Sequence, residues 1–178
     1  FVAFEIMLMS SYALMTLGGG ADQVKQAYKY VLLNLMGSTI FVLAAGLMYG
    51  MMGTLNYADL ARLVHESSVT GEPLPSGFNA VALLLMLVFA LKGALFPLWF
   101  WLPDSSWTLP SCIGAMFGGL LSKVGVYAVL RLYPMILSGP NDGTGTAMTT
   151  ILPIAAGATM VIAIIGAIGT RRIRRLLC

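Results

Sequence analysis

Charged residues are scarce in this sequence. Of its 178 residues, 10% are charged and 58% are hydrophobic. A soluble domain carries roughly 25% charged residues, which help to cover its surface with polar groups. A chain of this composition cannot form such a surface. The composition therefore excludes a soluble globular domain and predicts an integral membrane protein.

Cysteine and histidine are scarcer still. The chain has two cysteines, Cys112 and Cys178, and one histidine, His65. Two distant cysteines do not form a disulfide framework, and a lone histidine without a ligand pattern does not indicate a metal site. The net charge of +3 does not indicate nucleic-acid binding, because the basic residues lie at the ends of apolar runs. The sequence has no phosphate loop, catalytic triad or dinucleotide fingerprint, so we expect no cofactor.

Long apolar runs are what the sequence has in abundance. A hydrocarbon core about 30 Å thick needs about 20 apolar residues in a helix, which satisfies its own backbone hydrogen bonds. We predict an all-α, polytopic helical bundle of about five transmembrane helices in a single transmembrane region, residues 1–178, with spans at approximately 1–17, 28–52, 78–102, 110–132 and 148–169. The chain starts inside an apolar run, and we expect it to be part of a longer membrane protein.

The segment between the second and third runs predicts a short surface helix at approximately residues 55–65. Either Asn56 or Asp59 can cap this helix, because both side chains accept hydrogen bonds from backbone amides. The apolar residues share one broad face, as in a helix that lies along the membrane surface; they are Leu55, Leu60, Leu63 and Val64.

The lysines and arginines are distributed unevenly between the two ends of the predicted spans. Alternating spans place six of them on one side, and Arg62 and Arg131 on the other. Cytoplasmic loops of membrane proteins carry an excess of basic residues. The segments 18–27, 103–109 and 170–178 are therefore predicted to be cytoplasmic, and the protein is predicted to be a multi-pass protein of the cell inner (plasma) membrane.

Three charged residues, Glu5, Lys92 and Lys123, lie at membrane depth once the charges of the loops and of the ends of the runs are set aside. Each charge at membrane depth costs about 2.5–3.5 kcal/mol on insertion scales, so such residues face a partner, water or the bundle interior. Each is therefore a candidate functional residue. The alternatives are a static ion pair for Lys92, a lysine that reaches the interface for Lys123, and an isolated residue at the membrane rim for Glu5.

A helix break is predicted beside Lys92, at Gly93 and Pro97. Proline has no amide hydrogen, so Pro97 deprives the Gly93 carbonyl of its helical partner, and the proline ring crowds the same turn. Broken helices with a charge at mid-depth recur in transporters. Because burial makes a lysine able to gain and release a proton, the pattern indicates proton handling at Lys92, with Glu5 as its partner.

Three stretches, FEIMLMSSYAL, ALKGALFPLWFWLPDS and GGLLSKVGVYAVLR, resemble the proton-translocating antiporter-like membrane subunits. That family includes subunits of the Mrp-type Na⁺/H⁺ antiporters and of respiratory complex I. The resemblance implies about fourteen helices with two inverted five-helix repeats, of which this chain is similar to the first. It also implies a proton path through Glu5, Lys92 on the broken helix, and Lys123.

Within that family the chain is most similar to the Mrp D subunit, since the region TLPSCIGAMF lacks the histidine that is more common in complex I subunits. The resemblance implies a secondary transporter subunit, not an enzyme, which works with other membrane subunits and exchanges protons with Na⁺. A proton-pumping subunit of an NADH-quinone oxidoreductase is the first alternative. A membrane scaffold with frozen ion pairs and no transport is the second.

Overall fold

The computed structural model describes residues 2–106, 109, 111–137 and 144–169, and their regular structure is helical. The predicted all-α membrane fold with a broken helix is confirmed. In chain order the elements are α1 (Val2–Thr16), α2 (Ala21–Met52), α3 (Tyr57–Thr70), α4 (Phe78–Lys92), α5 (Trp101–Ser106), α6 (Ser111–Met116), a π-helical turn (Phe117–Leu121), α7 (Ser122–Leu137) and α8 (Thr144–Gly169).

Among the described residues, three helical stretches are long and apolar enough to cross a membrane: Ala21–Met52, Cys112–Pro134 and Thr150–Gly169. α1 and α4 are apolar but shorter, with 15 residues each. α4 ends at Lys92, whereas the sequence predicts a third span as far as residue 102. The chain resumes a helix at Trp101, so that span consists of two helical pieces joined by a non-helical segment.

The surface segment is a helix, α3, and it extends five residues beyond the predicted end at residue 65. The side chain of Asn56 caps it, because its Oδ1 accepts a hydrogen bond of 3.1 Å from the Ala58 amide. Of the predicted apolar face, Leu60 and Val64 are buried, whereas Leu55 precedes the helix and is 50% exposed. The helix therefore packs against the bundle through a narrower face than the sequence predicts.

The core forms where α4 packs between α2 and α7. One cluster of buried side chains lies toward the start of α4 and includes Phe78, Leu85 and Phe89. A second cluster lies around Tyr30 of α2, where the rings of Trp101 and Phe117 each approach to 5.5 Å between centroids. The two clusters hold α4 against both neighbours, so the end of α4 lies inside the bundle.

α8 contacts the bundle through α7, and no residue of its span Thr150–Gly169 is buried. The other irregular feature is the π-helical turn, where the FGGLL stretch leads directly into Ser122 and Lys123. Such turns insert one extra residue into a helix and are frequent at functional sites. The turn sets the direction in which the first residues of α7 point.

Candidate functional site

Lys92 is the last residue of α4, and its side chain is only 3% exposed. The Nζ donates a hydrogen bond of 3.0 Å to the Oγ of Ser38, a buried residue of α2. A buried ammonium group is tolerated only where hydrogen bonds or an opposite charge replace its water. Ser38 supplies one such bond, and it joins residues that are 54 positions apart in the chain.

Gly37 makes room for this contact. A Cβ at Gly37 would lie 2.8 Å from Leu91 Cδ2 and 3.7 Å from Lys92 Cε. The first distance is shorter than packed carbon atoms allow, so a larger residue here would force the Leu91 side chain to move. The small residue therefore allows Lys92 to reach Ser38.

The non-helical segment after Lys92 satisfies its backbone with bonds to other parts of the chain. The Leu91 carbonyl accepts a hydrogen bond of 2.9 Å from the indole Nε1 of Trp101. The amide of Phe96 donates a bond of 2.9 Å to Oγ1 of Thr159 in α8. Ala94 adopts a φ of 53°, which L-residues adopt rarely. These contacts hold the segment that contains Pro97 in one conformation.

α7 packs directly on the break through two glycines. A Cβ at Gly125 would lie 2.7 Å from the Cα of Gly93 and 2.7 Å from the carbonyl carbon of Lys92, with the Gly93 amide nitrogen closer still. The two backbones therefore touch without side chains between them. The predicted break residue Gly93 lies at this close approach between α4 and α7.

Lys123 is an exposed residue near the start of α7. It lines a cavity of about 510 Å³, whose walls also include Gly93, Trp99 and Thr159. Lys92 reaches toward α2, whereas Lys123 faces the space between the break, α7 and α8. The break therefore forms part of the wall of the cavity that Lys123 lines.

Glu5 is a partly buried residue of α1. Its Oε1 is buried and accepts no hydrogen bond from the residues that the structure describes. The hydrogen bond from Lys92 Nζ to Ser38 is a contact that the sequence analysis did not predict. Lys92 therefore has a hydroxyl partner on α2, and its pairing with Glu5 stays a prediction.

Ser38 and Thr159 were not predicted as site residues. For Ser38, the spacing of polar residues in α2 could have indicated a role. Tyr30, Asn34 and Ser38 recur every four residues in an apolar helix, which puts them on one face, and all three are buried. Thr159 gave no comparable signal, since threonine bonds its own helix in many membrane spans. No group of three or more potential metal-binding side chains occurs in the part of the chain that the structure describes.

Comparison with known proteins gives the class of this chain. The family model for the transmembrane region of NADH:quinone oxidoreductases and Mrp antiporters matches residues 1–178. The D subunit of the Na⁺/H⁺ antiporter of Alkalihalophilus pseudofirmus is 44% identical over 177 residues, which are 99% of this chain and 34% of that protein. The corresponding protein of Bacillus subtilis is 38% identical over 176 residues, 99% of this chain and 34% of that protein.

Solved structures give the same class. A chain of the archaeal membrane-bound sulfane sulfur reductase matches with a TM-score of 0.85 at 29% identity, over 99% of this chain and 34% of that one. A chain of the Mrp complex from Dietzia sp. matches with a TM-score of 0.79 at 29% identity, over 99% of this chain and 31% of that one. A chain of respiratory complex I from Thermus thermophilus matches with a TM-score of 0.69 at 25% identity, over 99% of this chain and 35% of that one.

These matches define a membrane-embedded, antiporter-like protein. The chain belongs to the transmembrane family that NADH:quinone oxidoreductases and Mrp antiporters share. The resemblance inferred from the sequence motifs is thereby confirmed. The chain spans about a third of the length of the curated relatives that it matches, since it covers 34% of each of the two above.

Proposed function

We propose that this chain is part of a proton-translocating subunit of a multisubunit cation/proton antiporter of the Na⁺/H⁺ type. The observation that carries the proposal is the buried Lys92 at the end of a broken helix, with Ser38 bonded to its Nζ. A structural lysine would need no break beside it. A lysine that gains and releases a proton needs both desolvation and access, and a break can supply access.

Proton transfer follows from the positions of the charged groups. We assign Glu5 the role of charge partner of Lys92, because attraction by an ionised carboxylate nearby favours the ammonium form of a lysine. When that attraction weakens, through movement of α1 or neutralisation of the carboxylate, Lys92 releases its proton from Nζ. Water in the cavity that Gly93 and Lys123 line carries the proton to Lys123, after Lys123 has passed its own proton onward. Glu5 therefore acts as the gate, and the two lysines act as successive carriers.

The proposal includes partners and sidedness. The relatives that are antiporter D subunits, and the Mrp complex among the matching structures, support other membrane subunits as partners. The transported ions are H⁺ and Na⁺, with no cofactor in this chain. The protein lies in the plasma membrane with segments 18–27, 103–109 and 170–178 on the cytoplasmic side. Residues 107, 108 and 170–178 lie outside the described residues.

A second candidate is a proton-pumping membrane subunit of an NADH-quinone oxidoreductase. The match to a chain of complex I supports it, with a TM-score of 0.69. The sequence identities favour the antiporter, since they are 44% with an antiporter D subunit and 25% with the complex I chain. A scaffold without transport is the third candidate, and the same experiment separates it from the other two.

The test is the variant Lys92→Ala of the full-length protein. The variant is assembled with its partner subunits and assayed in inside-out membrane vesicles. A pH gradient is imposed, Na⁺ is added, and collapse of the gradient is followed with a fluorescent dye. Assembly is checked on a native gel. Lys25→Ala is the matched control, because Lys25 is an exposed lysine of α2. We expect Lys92→Ala to assemble and lose Na⁺-dependent collapse, while Lys25→Ala behaves as wild type.

Other results point to the other candidates. If Lys92→Ala assembles and collapses the gradient at the wild-type rate, Lys92 is a structural residue and the proton path is wrong. If wild-type vesicles ignore Na⁺ but form a gradient on addition of NADH, the oxidoreductase candidate replaces the antiporter. If Lys92→Ala prevents assembly, Lys92→Arg keeps the positive charge but does not release a proton, and normal assembly without transport then supports the carrier role.

A further inference from the structure

The hydroxyl of Ser38 is in contact with the proposed proton carrier and has no part in the mechanism described so far. Its Oγ lies 3.0 Å from Lys92 Nζ. The residues are 7% and 3% exposed, so water does not compete strongly for this bond. A Cβ at the neighbouring Gly37 would lie 3.7 Å from Lys92 Cε, so the lysine side chain lies beside this turn of α2.

A serine hydroxyl suits a lysine that changes its protonation state. It accepts a hydrogen bond from an ammonium group, and after rotation it donates one to a neutral amine. A carboxylate in the same place could only accept, so it would favour the charged form alone. The bond to the ammonium is the stronger of the two, because charge-assisted hydrogen bonds are roughly twice as strong as neutral ones.

The surrounding polar groups of α2 are already engaged with other groups. Asn34 Nδ2 donates to the Tyr30 carbonyl at 3.0 Å. The hydroxyl of Tyr30 shares a bond of 2.9 Å with Ser11 of α1. Ser38, one turn further along the same face, is the member of this polar stripe that bonds Lys92. The stripe therefore ends at the proton carrier.

We propose that Ser38 is a positioning residue that holds the Nζ of Lys92 against α2 in both of its protonation states. The inference rests on the proposed function, since it assigns Ser38 to the same proton path. Without the hydroxyl, the lysine loses a fixed partner and its ammonium form loses a charge-assisted hydrogen bond. Ser38 acts through Lys92 and does not itself carry the transported proton.

The titratable groups on the elements around Lys92 define the background for a pH measurement. Among them are Glu5 and Tyr12 of α1, Tyr30 of α2, and Lys123, Tyr127, Arg131 and Tyr133 of α7. Of these, Glu5 is the acidic residue. Loss of the Ser38 hydroxyl leaves these groups unchanged and disfavours the ammonium form. The pH profile of transport should therefore move to lower pH, by about one unit for one charge-assisted hydrogen bond.

The test uses Ser38→Ala and Ser38→Cys in the full-length, assembled complex, with the rate of Na⁺-dependent gradient collapse measured across a pH series. Cysteine keeps the shape of serine but is a weak acceptor, so it separates packing from hydrogen bonding. Ser38→Thr restores a hydroxyl. Ser10→Ala is the matched control, because Ser10 is exposed and bonds its own helix at the Ile6 carbonyl.

We expect Ser38→Ala and Ser38→Cys to assemble, to transport several-fold more slowly at the wild-type optimum, and to shift the profile to lower pH. Ser38→Thr should recover most of the rate, and Ser10→Ala should match wild type. If Ser38→Ala and Ser38→Cys keep the wild-type rate and profile per assembled complex while Lys92→Ala abolishes transport, Ser38 has no positioning role and the proton path still stands. If Lys92→Ala transports normally, the proposed function and this inference fall together.

Discussion

The contact between Gly125 and Gly93 allows a quantitative prediction. Replacing Gly125 by alanine adds one methyl group to a site without space. The new Cβ would lie 2.7 Å from both the Gly93 Cα and the carbonyl carbon of Lys92. Non-bonded carbon atoms prefer a separation of about 3.5–4.0 Å. Relief therefore requires a shift of about 1 Å, and both contacting atoms belong to backbone that cannot rotate away.

Overpacking of this kind costs about 1–3 kcal/mol, because neighbouring backbone must move. Ordinary helix propensity acts in the opposite direction, since alanine is favoured over glycine in a helix interior by about 1 kcal/mol. The net prediction is destabilisation of up to about 2 kcal/mol, together with displacement of Lys92 from Ser38. We expect Gly125→Ala to melt at a lower temperature and to transport more slowly.

The assay is thermal unfolding of the purified, assembled complex in detergent, followed by the transport measurement in vesicles. Gly46→Ala is the matched control, because this α2 glycine has no atom of the described chain within 4 Å of a potential Cβ. That variant should melt at or slightly above the wild-type temperature. Wild-type melting and transport in Gly125→Ala would refute the close approach of α7 to the break, and with it the reason that Lys92 lies where it does.

Two further predictions test contacts outside the lysine itself. Thr159→Val removes the acceptor of the Phe96 amide and should destabilise the break by about 0.5–1.5 kcal/mol. Thr39→Val loses only a bond to its own helix at the Leu35 carbonyl and should leave transport unchanged. Equal transport losses in both variants would contradict this prediction. Burial raises the pKa of the Tyr57 phenol above its ordinary value of 10.0. The contribution of this phenol to the free energy of unfolding is therefore fully present below about pH 10 and is lost as the pH rises through the pKa of the folded protein. The melting temperature of Tyr57→Phe should therefore fall less than that of wild type between about pH 8 and pH 11. Identical falls would show that Tyr57 does not contribute to the pH dependence of stability.

The position of the helix break illustrates how far local sequence reasoning reaches. Pro97 forbids an uninterrupted helix through the Gly93 carbonyl, so a break near that carbonyl follows from covalent structure alone. The end of the helix at Lys92 does not follow from it, because a helix can stop at any of several residues before a proline. Contacts from α7 and α8 select the end, through Gly125 against Gly93 and Thr159 bonded to Phe96.

The partner of Lys92 also shows which features the sequence predicts and which features depend on helix packing. A lysine in an apolar run predicts some polar or charged partner, and Glu5 was the only acidic residue in the predicted spans. The hydroxyl of Ser38 could not be selected, because serine and threonine are common in membrane helices and usually bond their own backbone. Only the packing of α4 on α2 brings Ser38 within 3.0 Å of Nζ.

The sequence by itself determined that this chain is a helical membrane protein, that three charges lie at membrane depth, and that a break accompanies Lys92. Composition and proline chemistry act locally, so they can be read without coordinates. The tertiary structure decided which hydroxyl bonds Lys92, which side of the break Lys123 faces, and where α4 ends. Those features depend on the distance of closest approach between helices, which small residues far apart in the chain set jointly.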